Sequence, residues 1–285
     1  MNRIRINHIK DRSFQLIGML CTLIGLVLLA VFIGDILIEG LPRISWEFIT
    51  SLPSRIPERA GIYTALTGSL WVIALTILIS FPLGVGAGIY LEEYGNESRL
   101  SKLLEINISN LTGVPSIIYG LLGLEIFVRI LRMGSSVLAG SLTLSLLILP
   151  VIIVVTRESL KSVPQTIRHA AYALGASKWQ AIFTQVLPAS IAGILTGVIL
   201  ALSRAIGEAA PLIVVGALAY VPFAPKSPMD EFSVLPIQIF NWISRPQYGF
   251  TINAAAAIII LLIITFGLNA VAIYIRRRWQ KKITY

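Results

Sequence analysis

The sequence predicts an all-α membrane protein with six transmembrane helices, and three observations carry that prediction. Of its 285 residues 56% are hydrophobic and only 13% charged, against about 25% charge in an average soluble domain. The mean hydropathy is +0.82. Six runs, 13–34, 61–91, 106–124, 133–156, 179–203 and 246–275, contain no Asp, Glu, Lys or Arg. Each reaches the roughly 18 residues that mark a helix able to cross a bilayer. A membrane β-barrel would show alternating segments of about ten residues, and backbone satisfaction in lipid then leaves helices.

The spans are expected at about 14–36, 64–90, 104–127, 136–156, 190–218 and 251–275. A basic tail, 1–13, precedes the first, which is too long for a signal peptide and lacks a small-x-small cleavage pattern. An outer segment, 39–62, is rich in Pro, Ser and charge, and its Trp46 and Phe48 suit an element lying on the membrane. The second span closes in "FPLGVGAGIY", whose glycines permit either close helix approach or a flexible helix end. The third carries "NLTGVPSIIYGLLGL", where Pro115 breaks the backbone ladder in mid-span. That kink either sets Ser116 and Tyr119 along a polar path or simply packs against neighbours. A loop, 157–189, follows the fourth span, and a second outer segment, 219–250, is dense in Pro and aromatic residues. The tail 277–285 anchors the last span, with Trp279 at headgroup level.

The net charge is +9, but its distribution says more than its sum. With alternating sides, one set of loops holds 15 of the 23 Lys and Arg residues and the other holds 7, leaving Arg204 within a span. The positive-inside rule therefore places both termini in the cytoplasm and removes any need for a nucleic-acid partner. Cys21 is the only cysteine, which excludes an intramolecular disulfide and a thiolate metal cluster. His8 and His169 stand alone. The chain has neither a Gly-x-Ser-x-Gly elbow nor a phosphate loop of the Gly-x4-Gly-Lys type. It is read as a non-enzyme that holds no cofactor or metal of its own.

The segment 157–190 reads "RESLKSVPQTIRHAAYALGASKWQAIFTQVLPAS". Pro164 suits the start of one short helix, Gly175 its left-handed end, and Ser177 the N-cap of a second. Tyr172, Leu174, Trp179 and Phe183 would then form an exposed apolar knob for a cytosolic partner. "HAAYALGASKWQAIFTQVLP" resembles the EAA loop of ABC importer permeases, E-A-A-x3-G followed by L-P. Ala170, Ala171, Gly175, Leu187 and Pro188 match, and His169 stands where that family usually has Glu. The resemblance implies a type I importer permease whose loop enters a cleft on an ATP-binding subunit. "GIYTALTGSLWVI", "GVPSIIYGLLGL" and "SRAIGEAAPLI" further resemble the phosphate-import permeases. Chain length and the outer segment after the first span favour the PstA-type subunit. The family's usual G-E-T-A-P-L is here G-E-A-A-P-L, with Ala209 in place of Thr.

Within "SRAIGEAAPL", Arg204 and Glu208 lie one helical turn apart in an apolar stretch. Arg204 follows Ser190 by 14 residues, about 21 Å along a helix and past the middle of a ~30 Å core. Two readings stand. The pair is a structural tie, a poor device because buried pairs often do no better than apolar packing. Alternatively, Arg204 offers its fork of donors to an oxyanion. Glu208 would then hold Arg204 when the path is empty and accept a hydrogen bond from protonated phosphate, which sulfate lacks. Ser203 either adds a donor or bonds back to its own helix.

The resemblance implies three partners besides phosphate and lipid. They are a second, PstC-type permease subunit, an ATP-binding subunit dimer docking on 157–189, and an extracytoplasmic phosphate-binding protein. ATP and Mg would be used by the ATPase alone. The alternatives are a permease for sulfate or molybdate and a self-sufficient secondary transporter, against which the docking loop argues.

Overall fold

The computed structural model describes residues 2–95, 99–217 and 220–283. The side chain of Trp279, and residues 218 and 219 at the expected junction of the fifth span with its outer segment, lie outside that description. Among the described residues there is no strand, and one isolated bridge pairs Ser136 with Glu231.

Helix α1 (Asn2–Gly40) covers the first apolar run, exposed from Phe14 to Phe32. It meets the body near its far end, where Ile36 packs with Ala255 and Ile259. Helix α2 (Trp46–Thr50) follows, N-capped by Ser45, whose hydroxyl accepts from the Phe48 N–H at 3.1 Å. The two aromatics of this segment part company. Trp46 is exposed, whereas Phe48 is fully buried beside Trp242, ring centroids 6.0 Å apart. Arg43 pins the segment from outside: Nε donates to Asn253 Oδ1 at 2.7 Å, and the guanidinium also reaches the carbonyls of Pro57, Glu58 and Ala60.

Helix α3 (Tyr63–Ile89) runs on through a π-helical turn, Tyr90–Tyr94. Helices α4 (Arg99–Leu111) and α5 (Ser116–Gly123) come next, α5 continuing as π-helix over Leu124–Ile130. Between α4 and α5 the chain turns through 103°, so the segment expected as one kinked helix over 104–127 is two helices set at a sharp angle. Pro115 has no N–H to give the preceding turn and disfavours helical backbone at Val114. Helix α6 (Val137–Lys161) then starts at a Ser136 cap. It leads into the loop helices α7 (Gln165–Ala173) and α8 (Lys178–Ala181). Helix α9 (Leu187–Ile206) is continuous with α8 through a π-helical turn, Ile182–Val186, so one rod extends from Lys178 to Ile206. Helices α10 (Ala210–Val215), α11 (Leu235–Ile243) and α12 (Tyr248–Ile283) complete the chain.

Five of these rods are long and apolar enough to cross a membrane, and the α4–α5 pair makes a sixth if counted as one span. The chain is thus a multi-pass membrane protein. Its main core joins α3, α6 and α9 through Val72, Leu144, Ile148, Ile152, Ile194 and Val198, all at most 4% exposed. Two of the three glycines at the end of α3 make close approach real: a Cβ at Gly84 would meet Ile152, and one at Gly88 would meet Thr156, each at 2.6 Å. A second core, built on Phe48, Trp242 and Phe250, caps the opposite end of the bundle from the loop. Ser69 of α3 joins the two by accepting from the Leu235 N–H that opens α11, at 2.8 Å.

Candidate functional site

The fifth span does not run unbroken over 190–218. Helix α9 ends at Ile206, and α10 restarts at Ala210. Pro211 is the cause, because it cannot donate to the Gly207 carbonyl and its ring displaces the preceding turn. The N–H groups of Gly207 and Glu208 instead bond three residues back, to Arg204 and Ala205, at 3.2 Å each. Arg204 therefore occupies the last turn of α9, and Glu208 the break itself. Their side chains meet, Arg204 Nε standing 3.3 Å from Glu208 Oε1. The guanidinium is 57% exposed and the carboxylate 17%. A single weak ion contact thus leaves most of the arginine's donors open at a helix break.

Ser203, next to the pair, donates to the Ile199 carbonyl at 2.7 Å, and the Asn269 side-chain amide meets the same hydroxyl. Asn269 escaped sequence reasoning, although it is one of the few amide side chains in a charge-free span. The two residues flank a 260 Å³ apolar cavity between α3, α9 and α12, lined also by Ile73, Ile199 and Leu268. Two turns toward the loop, Arg276 donates to Thr196 Oγ1 at 2.7 Å. Ser203 thus belongs to the α9–α12 seam.

Pro115 caps α5, and Ser116 is its first residue, half-buried. Tyr119 is 4% exposed and its hydroxyl donates to the Leu111 carbonyl at 2.8 Å. It closes the α4–α5 turn from within, its hydroxyl bonded to the backbone. Gly120 lies directly on Pro211, so the two broken helices of the chain pack at their breaks.

The 157–189 loop folds as two short helices about Gly175. Gly175 has φ +82°. Its N–H bonds Tyr172 O at 2.9 Å, and the next, from Ala176, reaches Ala171 O at 3.1 Å, the paired bonds of a Schellman cap. Ser177 and Gln180 form a capping box at the start of α8. His169 and Ala170 are exposed, Ala171 is buried, and Leu187 and Pro188 are half-buried where the loop re-enters the bundle. The apolar knob stands outward: Leu174 is 90% exposed and Trp179 60%, with the Trp179 and Phe183 rings tilted at 34° and their centroids 3.8 Å apart. Sequence reasoning missed Arg168, which lies inside this loop, 7% exposed, and pairs with Glu93 at 2.7 Å. The "LEEY" acidic pair was its only signal.

A bundle of apolar rods with broken helices and an exposed helical loop is the frame in which the class is read, a subunit of a membrane transporter. Residues 81–283 match the family described as "Binding-protein-dependent transport system inner membrane component", and the chain belongs to it. It is 32% identical over 282 residues to the probable ABC transporter permease protein YqgI of Bacillus subtilis, covering 94% of this chain and 93% of that one. It is 33% identical to the phosphate transport system permease protein PstA of Haemophilus influenzae, covering 91% and 92%. In fold it resembles a bacterial ABC transporter that imports the acidic polysaccharide alginate, with TM-score 0.68 at 17% identity, covering 96% of this chain and 98% of that one. It also resembles the MetNI methionine ABC transporter, with TM-score 0.59 at 18% identity, covering 76% and 97%. The chain is accordingly a type I ABC importer permease, a transport component and not the ATP-hydrolysing one.

Proposed function

We propose that this chain is one permease half of an ATP-driven importer of inorganic phosphate, and that Arg204 is the group the anion passes. The observation that carries the reading is the open guanidinium at the α9–α10 break, a mostly exposed cation in an apolar stretch of the sequence. An arginine in a span is costly and normally marks an ion or substrate pathway. Its planar fork matches phosphate oxygens two at a time. Glu208 keeps the guanidinium in place between transport events and accepts a hydrogen bond from a protonated oxygen of phosphate. Relatives named as phosphate transport permeases, matched over most of the chain, support the same substrate.

The excess of Lys and Arg on the loop side sets that side in the cytoplasm, with both termini. There the Leu174–Trp179–Phe183 knob docks on a dimer of ATP-binding subunits, which alone use ATP and Mg. A PstC-type permease forms the other half of the path, and an extracytoplasmic phosphate-binding protein delivers the anion. A single shallow site suits this division, since tight binding within the membrane would slow release.

The test is phosphate uptake into liposomes holding the complete transporter. Wild-type complex takes up phosphate with ATP and ignores sulfate, and Arg204→Gln abolishes uptake while the complex stays intact. Undiminished uptake by that variant would sink the site.

A further inference from the structure

We infer that the buried Arg168–Glu93 pair is the tie through which the docking loop drives the membrane helices. It makes α7 and the end of α3 one rigid body. The inference rests on the coupling role given above to 157–189 and names the residue through which motion leaves that loop.

Arg168 joins three elements at once. Its Nη2 meets Glu93 Oε1 at 2.7 Å, beyond the end of α3, and the Leu160 carbonyl at 3.0 Å, in the last turn of α6. Its Nη1 donates to the Val163 carbonyl at 2.8 Å, in the turn between α6 and α7. The Glu93 side chain is only 6% exposed. Water therefore neither screens this pair nor replaces either partner, and the planar guanidinium fixes direction as well as distance. Losing one partner would leave the other buried and uncompensated, so the tie holds as a pair or not at all.

The surroundings act in the same sense. Leu160, Val163 and Val186 form a small buried cluster with Ile89 of α3 and Ile167 of α7 packed against it. From α8, Lys178 Nζ sits 4.9 Å over the Tyr94 ring. Both loop helices thus bear on residues 93 and 94. At the edge, Arg157 pairs with Glu92 at 3.4 Å and with Glu105 of α4 at 3.1 Å. The loop consequently has two faces, an outward one of apolar anchors and an inward one built on Arg168 and Ala171, one turn apart.

Helix α3 carries the motion to the candidate site. Twenty residues before Glu93, about 30 Å along a helix, Ile73 faces Ala205 and Ile206, the neighbours of Arg204. Motion received at Glu93 arrives at the turn that holds the guanidinium without passing through α9.

The experiment uses the full transporter, permeases and ATP-binding subunits together in lipid nanodiscs. Cys21→Ser removes the lone cysteine, and spin labels are placed at Thr166→Cys on α7 and Tyr90→Cys beyond α3, both exposed. The label separation is expected to stay the same with and without ATP, and to shift or broaden with ATP once Glu93→Gln is added. In liposomes, phosphate moved per ATP hydrolysed should fall at least about fivefold in Glu93→Gln, with hydrolysis retained. Arg168→Lys, which keeps the charge but not the fork, should give an intermediate ratio and serves alone if Glu93→Gln does not assemble. A separation that changes with ATP in the intact pair overturns the tie, as does a wild-type ratio in either variant. Failure of the wild-type complex to take up phosphate would overturn the proposed substrate instead, because the label distances do not depend on the solute.

Discussion

Arg204 Nε stands 3.3 Å from Glu208 Oε1 across a gap in the helix, not along one. The carboxylate belongs to the α9–α10 break, which Pro211 imposes, and the arginine to the last turn of α9. Glu208 is mostly covered and Arg204 mostly open, so the carboxylate is the fixed half of the pair and the guanidinium the half free to change partner. Arg204→Lys keeps the charge and loses the fork. We expect phosphate uptake to persist with KM raised about tenfold, the equivalent of ~1.4 kcal/mol, close to the ~1.5 kcal/mol of one charge-assisted hydrogen bond. Initial uptake rates over a phosphate series check this, and an unchanged KM would assign the anion contact to another residue.

Glu208→Gln tests discrimination rather than attraction. Glutamine keeps the size of the side chain but puts an amide where, on the proposed reading, the carboxylate accepts a hydrogen bond from a protonated oxygen of phosphate. Arg204 also loses its resting partner. The expected result is retained phosphate uptake that sulfate now inhibits, measured as competition at fixed phosphate in liposomes containing the whole transporter. Continued indifference to sulfate would place selection outside the membrane.

Gly175 carries the shape of the exposed apolar knob proposed to dock the ATP-binding subunits. At φ +82° with nothing within 4 Å of a virtual Cβ, the objection to a side chain is conformational and not steric. A non-glycine residue in this left-handed region costs about 1–2 kcal/mol, and Asn tolerates it better than Ala. Gly175→Ala should therefore weaken retention of the ATP-binding subunits about tenfold at 1.4 kcal/mol, while Gly175→Asn stays near wild type. Co-purification through the permease reads both, and equal behaviour of the two variants would show that the Schellman cap does not shape the docking surface.

The rods were legible in the sequence because lipid demands long charge-free runs, and the loop because Gly175, Ser177 and Pro188 each have a fixed conformational use. The two breaks were legible only by half. Pro115 announced a distortion, but a 103° turn differs from a kink through the packing of Gly120 on Pro211 and the Tyr119 hydroxyl on Leu111, contacts that no local pattern encodes. Pro211 sat in plain view within a stretch whose period read as continuous helix. Phe48 and Trp46 look alike in sequence, yet only Phe48 meets Trp242, from 194 residues away. Arg168 was counted among ordinary loop charges, since its partner Glu93 lies 75 residues earlier.

The end of α3 offers a test of packing in which neighbouring substitutions should act in opposite directions. Gly84 and Gly88 lie one turn apart and face α6, where a new Cβ would stand 2.6 Å from Ile152 and from Thr156. Both of those residues are fully buried, so neither can swing aside, and overpacking of this kind costs about 1–3 kcal/mol. Gly86, between them, points away with nothing within 4 Å, and alanine there gains up to ~1 kcal/mol of helix propensity. Thermal unfolding of the purified permease complex should therefore shift down for Gly84→Ala and Gly88→Ala, and hold or rise for Gly86→Ala. Because glycine at the two outer positions lets α3 lie directly on α6, the same two variants should also spread the helices that Arg168 ties together. Their loss of transport should then exceed that of a third variant equally destabilised at the far end of the bundle, such as Phe48→Leu. If losses merely track stability, the seam serves folding alone.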